Sequence, residues 1–127
     1  MQSLQRTAAA AKPRVIGRHV YGNLKGCRNV EALRNPALIE SMLRRAGEEG
    51  GMTILDVKSW KIGEGVSAVA IVLESHITIH TWPEYRFATV DVYSCGAHTD
   101  PYKAFEYIVK VLDPEDVSIG SADRSLE

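Results

Sequence analysis

Leu73-Glu74-Ser75-His76-Ile77-Thr78-Ile79-His80-Thr81-Trp82-Pro83-Glu84-Tyr85 follows directly on an apolar run, Val66 to Leu73. The run has Ala68 and Ala70 making one side small, and it reads as a central strand. That strand delivers the chain to Glu74-Ser75. A strand that only had to pack would not need the acid, serine, histidines and tryptophan that come after it.

Upstream, Met52 to Ile62 alternates. Ile54, Asp56, Lys58 and Trp60 fall on one side, and Thr53, Leu55, Val57 and Ser59 on the other. Gly63-Glu64-Gly65 is a tight link, so the two strands pair as an antiparallel hairpin. Val15 to Leu24 reads as a first strand, bent or bulged at a glycine. Gly26-Cys27-Arg28-Asn29 is a turn. Asn35-Pro36 opens a helix with Leu38, Ile39, Met42, Leu43 and Ala46 at helical spacing. Gly47 or Gly50-Gly51 ends it, with Arg44 and Arg45 placed for the helix dipole.

Downstream, Phe87 to Tyr93 is a β-branched and aromatic strand ending at Cys95-Gly96. Thr99-Asp100-Pro101 caps a second helix with Ala104, Phe105, Ile108, Val109 and Leu112 on one stripe. Pro114 stops it, and Val117 to Gly120 is a short last strand. The order β-α-β-β-β-α-β predicts an α+β two-layer sandwich, an antiparallel sheet with two helices on one face. The other face would be bare. Trp60, Trp82, Tyr85 and Tyr93 are its expected occupants, and a dimer is the expected cover.

The 127 residues fit a single domain over 14–127 behind a flexible arm, 1–13, that carries Arg6 and Lys12 but no secretory apolar core. A net charge of -1 gives no bulk pull toward nucleic acid or an anionic membrane surface. The longest apolar run falls well short of the ~20 residues of a membrane span. A cytoplasmic, reducing compartment is expected, with Cys27 and Cys95 as free thiols.

Several chemistries fit the central stretch. His76 and His80 in a strand would stand about 13 Å apart, too far for one metal ion. Cys95 and His98 could add ligands, but no CxxC or HExxH spacing is present. Ser75 lacks the glycine-flanked elbow of a serine hydrolase. A Cys95–His80 thiol hydrolase stays open, as does a set of plain polar residues on a half-exposed strand.

Three blocks carry a resemblance. They are Gly65-Val66-Ser67, then Glu74 through Glu84, then Ala88-Thr89-Val90-Asp91-Val92-Tyr93-Ser94-Cys95-Gly96. Asp100-Pro101 and Ala104-Phe105 continue them. Together they resemble the prokaryotic type of the pyruvoyl-dependent S-adenosylmethionine decarboxylase family, closely over about 65–112 and in outline over the whole chain. The resemblance implies self-cleavage between Glu74 and Ser75. Residues 1–74 would become a β chain and 75–127 an α chain, in dimers or larger assemblies of αβ pairs. Ser75 would become the pyruvoyl group that forms a Schiff base with substrate. His80 would accept a proton during processing, Cys95 would donate one to the decarboxylated carbon, and Ser67 would assist processing. The pyruvoyl would be the cofactor, with no metal and no PLP. The physical logic is that a decarboxylase needs an electron sink, and no natural side chain is a ketone.

The reading sets one geometric condition. Ser75 and His80 are an odd number apart, so a regular strand puts them on opposite faces. The strand must break near Ser75, or His80 must act from another direction.

For the substrate, the resemblance splits. Family members usually carry a His-x-Phe-x-Pro-like segment before Gly-Val-Ser, where this chain has Lys58-Ser59-Trp60-Lys61-Ile62-Gly63-Glu64-Gly65. Gly17 to Leu24 and the Ala122-Asp123-Arg124-Ser125 tail look like an archaeal branch that converts arginine to agmatine and CO2 in polyamine biosynthesis. Arginine is therefore the expected substrate, held by a carboxylate fork from among Asp56, Glu64, Glu84 and Asp91. The alternative is S-adenosylmethionine, with Trp60 stacking on adenine. A non-enzymatic dimeric binding module that no longer cleaves is the reading from a different class.

Overall fold

Val66, Ala68, Ala70 and Val72 are buried at every second position, which makes one side of β3 (Gly65–Val72) a wall of the core. The computed structural model describes residues 14–127, so the arm read over 1–13 lies outside the described residues. Around β3 stand β1 (Gly17–Lys25), β2 (Ile54–Ile62), β4 (Ser75–Trp82), β5 (Phe87–Cys95) and β6 (Asp116–Asp123). They form one six-stranded sheet in the order β2-β3-β4-β5-β1-β6, with antiparallel neighbours throughout.

Helices α1 (Val30–Leu33), α2 (Pro36–Glu49) and α3 (Pro101–Leu112) complete the α+β fold. Ile39, Met42, Leu43 and Ala46 of α2 meet Ala104, Phe105, Ile108 and Leu112 of α3. Both sets pack over Val20, Leu24, Val57, Ile77, Ile79, Val90 and Val92 of the sheet. Each large apolar side chain so buried contributes about 1.5–3 kcal/mol. Asn35 accepts hydrogen bonds from the N–H groups of Ala37 and Leu38, and Asp100 from those of Tyr102 and Lys103. These caps fix where both long helices start.

The structure has one strand and one helix more than the sequence predicts. The added strand is β4, the Ser75–Trp82 stretch itself. Ile77, Ile79 and Thr81 are buried while His80 and Trp82 are exposed, the alternation of a strand covered on one side only. The added helix, α1, has four residues, too few to show a period. Its link to the sheet is Thr81, whose hydroxyl donates to the Leu33 carbonyl at 2.6 Å.

Other details also differ. Gly47 lies inside α2, because a Cβ there would meet Ile54 Cδ1 at 2.3 Å. The helix runs on to Glu48-Glu49 with Gly50 as C-cap, so Arg44 and Arg45 sit before the last turn, and Arg45 pairs with Glu49 at 3.1 Å. Leu38 points outward. β1 keeps an unbroken register through its glycines, and the bulge falls in β2 between Ile54 and Asp56.

The helix-free face presents cross-strand rows. One runs Trp60, Ser67, His80, Thr89, Asn23; the next Lys58, Val69, Thr78, Asp91, Tyr21; the third Asp56, Ile71, His76, Tyr93, His19. Trp60 is 56% exposed and Trp82 39%. Tyr85 belongs to the 3-10 turn Pro83–Tyr85 at the end of β4.

Candidate active site

Between β3 and β4 the chain reverses through Leu73 and Glu74, and the flanking Val72 and Ser75 pair directly. This turn is inside out: Leu73 is 68% exposed while Glu74 is 6% exposed. Glu74 is turned inward by two partners. Its Oε1 accepts the Thr53 N–H at 3.0 Å, and its Oε2 lies 2.8 Å from His98 Nε2. Burial pushes this carboxyl up, but the bonds from Thr53 and His98 outweigh burial, and its pKa lies below the ordinary 4.5.

Ser75 follows with φ +154°, a conformation that side-chain-bearing L residues rarely adopt. Ser75 is the first residue of β4 and is paired to Val72 and Ser94 on either side, so the ladder is unbroken and only its backbone angle is unusual. Strain of order 1–3 kcal/mol is stored beside the Glu74–Ser75 peptide bond. The carbonyl oxygen of that bond accepts two hydrogen bonds. Cys95 N–H donates at 2.8 Å and Cys95 Sγ–H at 2.9 Å. Ser75 Oγ lies 3.6 Å from the same sulfur. A hydroxyl, a thiol and a doubly hydrogen-bonded carbonyl thus meet at one point, an arrangement that can stabilise oxygen charge developing on an attacked carbonyl.

The strand ending at Cys95 is held there by its following turn. Gly96 N–H donates to the Ile16 carbonyl at 3.0 Å, and Thr99 Oγ1 donates to the Gly96 carbonyl at 2.9 Å. Ser94 and Thr99 hydroxyls bond each other. Gly96 has φ +157°.

His80 is elsewhere. Its Nδ1 is 2.8 Å from Ser67 Oγ, its direct cross-strand neighbour. Ile62, Trp82 and Glu84 line the same small cleft, and Trp60 stands across from Ser67. Five residues of strand separate His80 from Ser75, roughly 16 Å. Of the residues singled out by sequence, the fold therefore brings Ser75 to Cys95, and His80 to Ser67, Trp60 and Glu84. It does not bring the two groups together within one chain.

Sequence reasoning missed the role of the Glu74 side chain and a pair on the open face. His19 Nε2 and Asp91 Oδ1 are 2.9 Å apart, with Tyr21 and Tyr93 rings 4.9 and 6.3 Å from the imidazole. The one available signal was polar alternation along β1 and β5. Cys27 is buried, with its pKa pushed up to about 11 chiefly by that burial, and so lacks a reactive thiolate. Among the described residues no group of three or more His, Cys, Asp or Glu is placed to hold a metal ion. No helix among them is long and apolar enough to cross a membrane.

The S-adenosylmethionine decarboxylase family profile matches residues 18–125. The chain is 59% identical over 125 residues to an S-adenosylmethionine decarboxylase proenzyme of Aeropyrum pernix, covering 98% of this chain and 96% of that protein. It is 65% identical over 115 residues to a protein of the same name from Sulfurisphaera tokodaii, covering 91% and 93%. The adenosylmethionine decarboxylase crystal structure from Aquifex aeolicus superposes with a TM-score of 0.81 at 30% identity, over 92% of this chain and 95% of that one.

These relatives overturn the expectation of an arginine decarboxylase. The departure at Lys58–Gly65 is local, whereas the identity to these relatives extends over more than nine-tenths of the chain. The fold also leaves less of a guanidinium fork than expected, since Asp91 is engaged by His19 and Asp56 lies 3.9 Å from Lys58 Nζ. The match of profile, full-length relatives and fold places the chain in the S-adenosylmethionine decarboxylase family.

Proposed function

We propose that this chain is the precursor of a pyruvoyl-dependent decarboxylase of S-adenosylmethionine, and that it cuts itself between Glu74 and Ser75. The observation that carries this reading is the Glu74 carbonyl held by both donors of Cys95 beside the strained Ser75.

Ser75 Oγ attacks the Glu74 carbonyl carbon. The Glu74–Ser75 C–N bond breaks and an ester replaces the amide, freeing the Ser75 amine. Removal of the Ser75 Cα proton then expels the Glu74 carboxylate by β-elimination. The remaining dehydroalanine takes up water and loses ammonia, leaving a ketone at the new N-terminus of residues 75–127. That ketone supplies the electron sink for loss of a carboxylate from an amine-bearing substrate. Cys95 is then placed to return a proton to the carbon that lost CO2.

His80 is the base in this scheme, and it cannot reach Ser75 of its own chain. A second copy, packed open face to open face, supplies the His80–Ser67 pair to each Ser75. The exposed Trp60, Trp82 and Ile71 on that face support such packing. Trp60 and Glu84 then border the substrate, Trp60 by stacking on the adenine.

Purified protein incubated and run on a denaturing gel should give pieces of ~8 and ~6 kDa. It should then release CO2 from carboxyl-labelled S-adenosylmethionine. A chain that stays at 14.0 kDa and inactive overturns the reading in favour of a non-enzymatic module.

A further inference from the structure

We infer that His98 is a positioning residue for self-cleavage, which acts through the buried Glu74 carboxylate to fix the peptide bond that Ser75 attacks. The inference rests on the self-cleavage reading above and adds a residue to it.

The turn buries a charge and exposes a leucine, the reverse of what burial energetics favours. Such an inversion is tolerated because both carboxylate oxygens are satisfied. Thr53 N–H holds one at 3.0 Å and His98 Nε2 the other at 2.8 Å. The Glu74 carbonyl is held separately by Cys95. With the side chain fixed on one flank and the carbonyl on the other, rotation about the Glu74 Cα–C bond is locked. The face that the carbonyl presents to Ser75 Oγ is locked with it, and such orientation contributes strongly to attack rates.

The surroundings make room for this contact. A Cβ on Gly96 would lie 3.0 Å from His98 Cε1 and 3.2 Å from Nδ1. His98 is the one basic side chain within salt-bridge range of Glu74 among the described residues; Cys95 and Thr53 are its other polar neighbours. Thr53 donates through its backbone, which no substitution there removes except proline. His98 is therefore the adjustable half of the clamp.

The test follows cleavage of freshly translated precursor on denaturing gels for wild type, His98→Ala, His98→Gln, Glu74→Ala and the His98→Ala/Glu74→Ala double variant. His98→Ala should slow cleavage about tenfold. His98→Gln, whose amide can still donate, should stay within about threefold of wild type. In the Glu74→Ala background the His98→Ala change should have no further effect. Melting of the same substitutions in a Ser75→Ala chain reports folding separately. The inference is overturned if His98→Ala cleaves at the wild-type rate, if Gln and Ala are equally slow, or if the slowing persists without Glu74. A wild-type chain that never cleaves overturns the self-cleavage reading instead, so the two failures are told apart.

Discussion

The Cys95 sulfur lies 2.9 Å from the Glu74 carbonyl oxygen, so the thiol contacts the peptide bond before any substrate is present. In the proposed scheme Cys95 therefore acts in two successive reactions. Cys95→Ala removes one of two donors on that carbonyl and should slow cleavage about tenfold. Cys95→Ser keeps a donor there and should cleave near the wild-type rate, yet lose most turnover because a hydroxyl is a far weaker acid than a thiol. Gel densitometry and CO2 release read the two steps separately. Normal turnover in Cys95→Ser would remove the thiol from the decarboxylation step.

The distance between His80 and Ser75 along β4 leads to a mixing experiment. Ser75→Ala cannot be cut but keeps its His80–Ser67 pair, and His80→Ala keeps a cleavable Ser75. Each alone should stay whole or process slowly. Refolded together, they should form mixed dimers in which the His80→Ala chain is cut. Mass spectrometry that finds no cut chains in the mixture would show that His80 acts within its own chain.

Thr78 sits in the middle of the open face, between Val69 and Asp91. An arginine there meets solvent in a single copy but would be trapped under a facing sheet. Thr78→Arg should shift sedimentation toward the monomer and reduce cleavage, while leaving the melting of the monomer nearly unchanged. An unaltered oligomer would move the interface to another surface.

Glu74 makes stability depend on pH in a defined direction. Its folded pKa is lowered below 4.5, where an unfolded chain would titrate near the ordinary value. The stabilisation is therefore present above that ordinary value and lost as pH falls through the lower folded value. In an uncleavable Ser75→Ala background, Glu74→Gln should melt below the parent at pH 6. The gap should close as the pH drops through the acid range. A gap that widens toward acid would contradict the sign.

Local signals carried much of this fold. Asn35-Pro36 and Asp100-Pro101 mark real helix starts, because a capping side chain followed by proline leaves the backbone few alternatives. Gly63-Glu64-Gly65 closes a real hairpin. β4 is hard to count as a strand from sequence because its outward positions His76, Thr78 and His80 are polar and invite a reading as chemistry. The His80 spacing asks for a break near Ser75 or for a His80 acting from another direction; β4 runs without a register shift, which leaves the second, and Leu73-Glu74 carries no turn residue to announce the reversal before it. The Glu74–His98 contact spans 24 residues and depends on how the β5–α3 turn folds back, which no local pattern records. The Lys58–Gly65 segment misled for the opposite reason: one divergent segment is conspicuous in a sequence, and the place of its Trp60 in a row with Ser67 and His80 is visible only in the sheet.

The strand order has a consequence for what cutting does to the molecule. β1 comes from residues before Ser75, yet it lies between β5 and β6, which come after it. It is laddered along its length to both. The two pieces would be dovetailed, and neither could slide free without stripping strands from the middle of the sheet. Synthesis allows this fold to be reached as one chain. Once cut and denatured, the same protein would have to reassemble as a bimolecular reaction, with a refolding rate that rises with concentration, whereas the uncut chain refolds at a rate independent of it.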